Sequence, residues 1–142
     1  MGILYRIDQQ QGITLTVWDG AVKPAEWLAH LERMLADADW PGRRRIQISD
    51  LRTASVEGID EATLKAAADL LGQDTQIANM KAAIVAGEAF KKAAQFERFI
   101  AQYRSSVIVF NTLMTACTWL GVEVEAVERG LRALRAEVRG QV

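Results

Sequence analysis

The sequence predicts a single α/β domain with a mixed sheet of about five strands covered by helices. Three observations predict it. The chain opens with two alternating apolar segments around a short polar loop. Helix-spaced and strand-like segments then follow one another in three rounds, and two of the strand-like segments are continuous apolar runs. Alternation on both sides of a short loop marks an antiparallel hairpin, whereas continuous runs suit strands covered on both faces.

In the hairpin, Ile3, Tyr5 and Ile7 alternate with Leu4, Arg6 and Asp8, and Ile13, Leu15 and Val17 alternate with Thr14, Thr16 and Trp18. Gln9, Gln10, Gln11 and Gly12 connect the two, and Asp19-Gly20 ends the second strand. Pro24 suits the first turn of a helix, where its missing N–H costs nothing. Trp27, Leu28, Leu31, Met34 and Leu35 give that helix one apolar face, and Trp40-Pro41-Gly42 stops it. Ile46 and Ile48 form a short strand ending at Ser49-Asp50, with residues 51–58 as a loop. Asp60 caps the next helix, Ile59 and Leu64 staple it, Ala67, Ala68 and Leu71 extend its stripe, and Gly72 closes it.

Ala82, Ala83, Ile84, Val85 and Ala86 form the first apolar run, and Val107, Ile108, Val109 and Phe110 the second. Both read as central parallel strands, with Val85 and Val109 inside the sheet. The helix between them has the stripe Ala89, Ala93, Phe96, Ile100 and Tyr103, with Phe90 off it. Helices over 112–120 and 123–139 complete the chain, and no internal repeat or low-complexity tract divides it.

A chain of 142 residues is sized for one domain and needs no disulfide or metal staple. Its 50% hydrophobic content suits a packed core, and a net charge of −1 supplies no field that would draw nucleic acid. Arg43, Arg44 and Arg45 are the basic run, expected as a solvated loop before a strand, with an anion site as the sharper alternative. Cys117 is the single cysteine, so no intramolecular disulfide forms, in keeping with a reducing compartment. Without a signal-like start or a run near the roughly 18 apolar residues of a membrane span, a cytoplasmic protein with no membrane span is expected.

The motifs Tyr5-Arg6-Ile7-Asp8 with Gly12, Glu26-Trp27, Ser49-Asp50-Leu51-Arg52, Ala83-Ile84-Val85-Ala86-Gly87, Val109-Phe110, Ala116 and Trp119-Leu120-Gly121 occur in this order. In that order the chain resembles the STAS family, and more closely its SpoIIAA-like bacterial branch, described as related to CRAL-TRIO lipid-binding domains. The resemblance spans about residues 3–121 and implies a mixed sheet backed by helices, but no particular activity. It divides the chain into a STAS-like domain over 1–121 and a helical extension over 122–142, packed on the same domain or on a partner subunit. In the family's anti-sigma antagonists a serine after the third strand is phosphorylated. The matching region here, Asp50 to Asp60, holds Thr53 and Ser55 but lacks the adjacent Asp-Ser-Gly pattern, so neither is expected to be an essential switch.

Several residues have both a functional and a plain reading. His30, the single histidine, lies beside the apolar face of the first helix, and without a nucleophile or second base it reads as a boundary histidine with a satisfied ring nitrogen. Cys117 has neutral neighbours and reads as a small buried hydrophobe. Gly87 joins a strand to a helix, but Glu88 opposes anion binding there. One histidine and one cysteine make no usual zinc site, so no metal and no cofactor is expected. Phe90, Phe99, Met114 and Trp119 are weak candidates for lining an apolar ligand pocket, with Asp50 and Arg52 as the polar pair beside it, and ordinary core as the plain alternative. Trp27 and Trp119 are expected as core or interface anchors and not as substrate platforms.

The function expected from these readings is a non-enzymatic regulatory or protein-interaction module with room for a small apolar ligand. The alternative is a small-molecule or lipid carrier with an internal apolar pocket, and an enzyme comes third. Val124, Val127, Leu131, Leu134 and Val138 form a narrow seam on the last helix, weakened by Gly130 and flanked by Arg132, Arg135 and Arg139. That seam has two partners open to it, the domain's own sheet or a second subunit in a twofold homodimer, and the dimer is the sharper expectation.

Overall fold

The computed structural model describes residues 2–140. Met1 and residues 141–142, the outermost positions of the expected domain and extension, lie outside the described residues.

Five strands, β1 (Ile3–Asp8), β2 (Ile13–Ala21), β3 (Ile46–Ser55), β4 (Lys81–Val85) and β5 (Ser106–Phe110), form one sheet in the spatial order β1-β2-β3-β4-β5. The opening hairpin pairs antiparallel, with Ile3 opposite Trp18 and Asp8 opposite Ile13. Every later neighbour is parallel. Helices α1 (Pro24–Leu35), α2 (Glu61–Gly72) and α3 (Phe90–Ile100) make the three crossovers, and their apolar faces share one core with one face of the sheet. Helices α4 (Leu113–Leu120) and α5 (Val124–Val138) cover the other face. The expected α/β class with a mixed five-strand sheet is therefore the observed one.

The helix starts follow local chemistry. Pro24 opens α1, the Asp60 carboxylate accepts from the Thr63 N–H at 2.8 Å, and the Thr112 hydroxyl accepts from the Thr115 N–H at 3.2 Å. Gly121, at φ 72°, ends α4 in the left-handed region that favours glycine. Gly72 is the last residue of α2 and lies beneath the Tyr103 ring.

Four expectations need correction. β2 runs on to Ala21, with a register shift between Val17 and Asp19. β3 runs on to Ser55, so residues 51–55 are strand and not loop; Thr53 and Ser55 pair with Asp19 and Ala21. β5 is an edge strand, which leaves Ile108 37% exposed, and Val109 is only half-buried. Its apolar run reflects cover by α3 on one face and partial cover by α4 on the other. Lastly, the seam of α5 is spent inside the molecule, with Val127, Leu131 and Leu134 fully buried against the sheet. A Cβ on Gly130 would come within 2.5 Å of Leu15 Cδ1, so the glycine that weakens the helix is what lets it lie close to β2.

Candidate functional site

A cavity of about 100 Å³ lies between the sheet and the layer of α1, α2 and α3. Native interiors hold few voids larger than a water molecule, so an opening of this size needs a cause. The cause is a set of small side chains where neighbours are large. Ser49 and Ala82 face this layer from β3 and β4, and Ala89 and Ala93 approach it from α3. Trp18, Trp27, Trp40 and Phe96 are among the large walls, with Trp27 edge-on to both Trp18 and Phe96. Met34 and Met80 also line it, and both are flexible enough to re-pack around a guest.

The polar groups in this lining fall into two kinds. Gln47 is satisfied: its Oε1 accepts from Trp40 Nε1 at 3.1 Å, and its Nε2 donates to Thr16 and Ser49 hydroxyls at 3.4 Å. His30 and Ser105 are not, for His30 Nδ1 and Ser105 Oγ are buried without a hydrogen-bond partner. His30 is 2% exposed and sits within the apolar face of α1, one turn from Trp27 and Met34, with its ring edge-on to Tyr5 at 5.6 Å. Burial, helped by the nearby charge of Arg33, pushes its pKa down to about 4, so the ring is neutral at pH 7. The expected boundary position with a satisfied nitrogen is thus overturned. A buried polar atom left unpaired costs free energy that a hydrogen-bonding guest would recover.

The expected polar pair lies on the opposite face of the sheet. Asp50 is fully buried beneath α5. Its Oδ1 accepts from the Arg52 N–H at 3.0 Å and from Arg52 Nε at 2.9 Å, and its Oδ2 accepts from Arg52 Nη2 at 2.8 Å and from Arg135. Burial pushes the Asp50 carboxyl up, but these guanidinium contacts outweigh it and hold the group below the ordinary carboxylate range. Arg52 also donates to Glu128 at 3.1 Å, and Arg139 donates to Asp19 at 2.8 and 3.0 Å. This cluster straps α5 to the sheet and leaves no carboxylate or guanidinium of the pair facing the cavity.

None of the expected pocket residues lines the cavity. Phe90 and Met114 are exposed, Phe99 lies under Lys65 at 5.5 Å, and Trp119 packs on Phe110 beneath Lys81 on the α4 side. Thr53 donates to Asp19 Oδ1 at 2.6 Å, and Ser55 ends β3 well before the N-terminus of α2. Cys117 is buried, which pushes its thiol pKa up and keeps it unreactive. Each arginine of the basic run donates to a backbone carbonyl: Arg43 to Gln10, Arg44 to Gly121, and Arg45 to Gln76 and Ala78. Among the described residues no group of three or more histidine, cysteine, aspartate or glutamate side chains is placed to hold a metal ion. No helix among them is long and apolar enough to cross a membrane.

Fold and site together define an α/β domain with an apolar cavity on its crossover-helix face. No family model, curated protein or solved structure matches the chain.

Proposed function

We propose that the protein is a non-enzymatic binder of a compact, largely apolar small molecule, held in the cavity between the sheet and α1–α3. The observation that carries this reading is the cavity itself, whose mostly apolar lining includes His30 and Ser105 with Nδ1 and Oγ unpartnered. An engineered cavity of about 150 Å³ takes benzene. A cavity of about 100 Å³ bordered by two re-packing methionines therefore suits one ring or a short branched chain, and not an extended lipid. The kinship to the SpoIIAA-like branch, with a cytoplasmic place of action, belongs to the same proposal and draws its support from the element order.

Tryptophan fluorescence tests it, because Trp18, Trp27 and Trp40 line the cavity. Toluene should change the emission saturably, and Ala82→Leu, which fills the space, should abolish the response while raising Tm. A response that is linear in toluene, or unchanged in Ala82→Leu, would refute the reading.

A regulatory, protein-binding role is the second reading, and one observation favours it. On the open edge at β5, Ile108 is 37% exposed, and Met114 on the neighbouring α4 is 64% exposed. In this reading a protein partner or second copy meets the domain at that edge, since the seam of α5 is already used internally.

A further inference from the structure

The cavity has a neighbour at the surface. At the C-terminal ends of β3 and β4 a cleft is bounded by the residues leaving β3 and those entering α3. Val56, Ala89 and Lys92 belong to both linings, so they form the partition between cleft and cavity. The ends of parallel strands are where open α/β sheets receive ligands. The cavity therefore lies one side-chain layer from the position at which this architecture admits a guest.

Lys92 is the notable member of that partition. Its ammonium donates to the Val56 carbonyl at 2.7 Å and to the Glu57 carbonyl at 2.9 Å, tying the start of α3 to the chain leaving β3. Both acceptors are neutral, and Lys92 has no ion-pair partner among the described residues. A half-buried cation held by two backbone carbonyls can exchange them for the two oxygens of one carboxylate, gaining charge–charge attraction while the freed carbonyls turn to water in the cleft. The surroundings limit the charge of the guest. Glu57 and Glu88 line the same cleft, balanced by Lys91 and Lys92, so a dianion such as a phosphate monoester meets repulsion that a monoanion largely escapes.

We infer that Lys92 is both the latch of the cavity and the recognition group for its ligand, which is a monocarboxylic acid with an apolar body no larger than about one aromatic ring. The apolar body occupies the space beneath Trp27 and Phe96, and the carboxylate stays at the partition on Lys92. This rests on the cavity-binding reading above and adds to it the ligand class and the route of entry.

Binding of benzoate, toluene and benzylamine to the full-length protein at pH 7, followed by tryptophan emission and calorimetry, tests the inference. The comparison is repeated in Lys92→Met and Lys92→Arg. Wild type should prefer benzoate to toluene by at least about tenfold, and benzylamine should bind worst. The benzoate-to-toluene ratio should fall to about one in Lys92→Met and survive in Lys92→Arg. Toluene binding without a benzoate preference would overturn the inference and leave the cavity reading standing. A benzoate preference unchanged in Lys92→Met would place the anion elsewhere and overturn it as well. Failure of all three probes to bind would defeat the cavity reading and the inference together.

Discussion

His30 and Asp50 show how a buried polar residue can be costly or supportive according to its partners. His30 is neutral when folded because burial and Arg33 depress its pKa to about 4, against 6.5 when unfolded. Above pH 6.5 neither state binds the proton, and below it the unfolded chain does so first. Stability should therefore be full above pH 6.5, fall as the pH drops from 6.5 toward 4, and then level off for this group. A shift of this size corresponds to about 3 kcal/mol. Denaturant titrations across this range should show the loss in wild type, and His30→Phe should flatten the histidine part of it without lowering stability at pH 7. Asp50 is the opposite case, because every contact is a charge-assisted hydrogen bond. Asp50→Ala should cost about 3 kcal/mol, since it leaves Arg135 mostly buried without its counter-charge. An urea midpoint close to that of wild type would contradict the strap between β3 and α5.

At the level of elements, the last helix and the last strand exchange the roles that the sequence suggests. The spacing of Val127, Leu131 and Leu134 was enough to identify an apolar seam, but spacing does not say which surface fills it. Two of the arginines that flank the seam, Arg135 and Arg139, reach Asp50 and Asp19, which lie 85 and 120 residues away in the chain, and that pairing has no local signature. Gly130 carries a related lesson. Alanine there should gain about 1 kcal/mol of helix propensity, yet it meets Leu15 in a packed core, where added methyl groups cost about 1–3 kcal/mol. Gly130→Ala should therefore lower Tm, and a raised Tm would show that α5 can move off β2 cheaply. Chains ending at Gly121 should fail to fold cooperatively, because Ile13, Leu15 and Val17 lose their cover. For the strands, amide exchange should be slowest in β2, β3 and β4 and faster along β5. Equal protection at 107–110 and 83–86 would speak for a partner on that edge.

For the whole molecule, the sheet and its covering helices were legible because they are written in short windows. Alternation gave the hairpin, and Pro24, Asp60 and Thr112 sit at helix starts for reasons that each residue carries locally. The far end of β3 was hidden because exposed Arg52 and Thr53 interrupt the apolar pattern in a segment that still pairs with β2. The cavity was hidden for a deeper reason. It comes from the meeting of small residues on β3, β4 and α3 with large ones on β2 and α1, and no window of sequence contains both. Asp50 and Arg52, expected at the end of a short strand, lie in the middle of the longer β3 and on the face opposite the cavity, and the choice of face depends on a single residue of register.

The central claim is that the interior space on the α1–α3 face receives a compact apolar guest. Methionine-methyl NMR tests it most directly, because Met34 and Met80 line the cavity while Met114 lies exposed on the other side of the sheet. On titration with toluene, the Met34 and Met80 methyl signals should shift saturably and Met114 should stay fixed. Static Met34 and Met80 signals, or a shift confined to Met114, would contradict it.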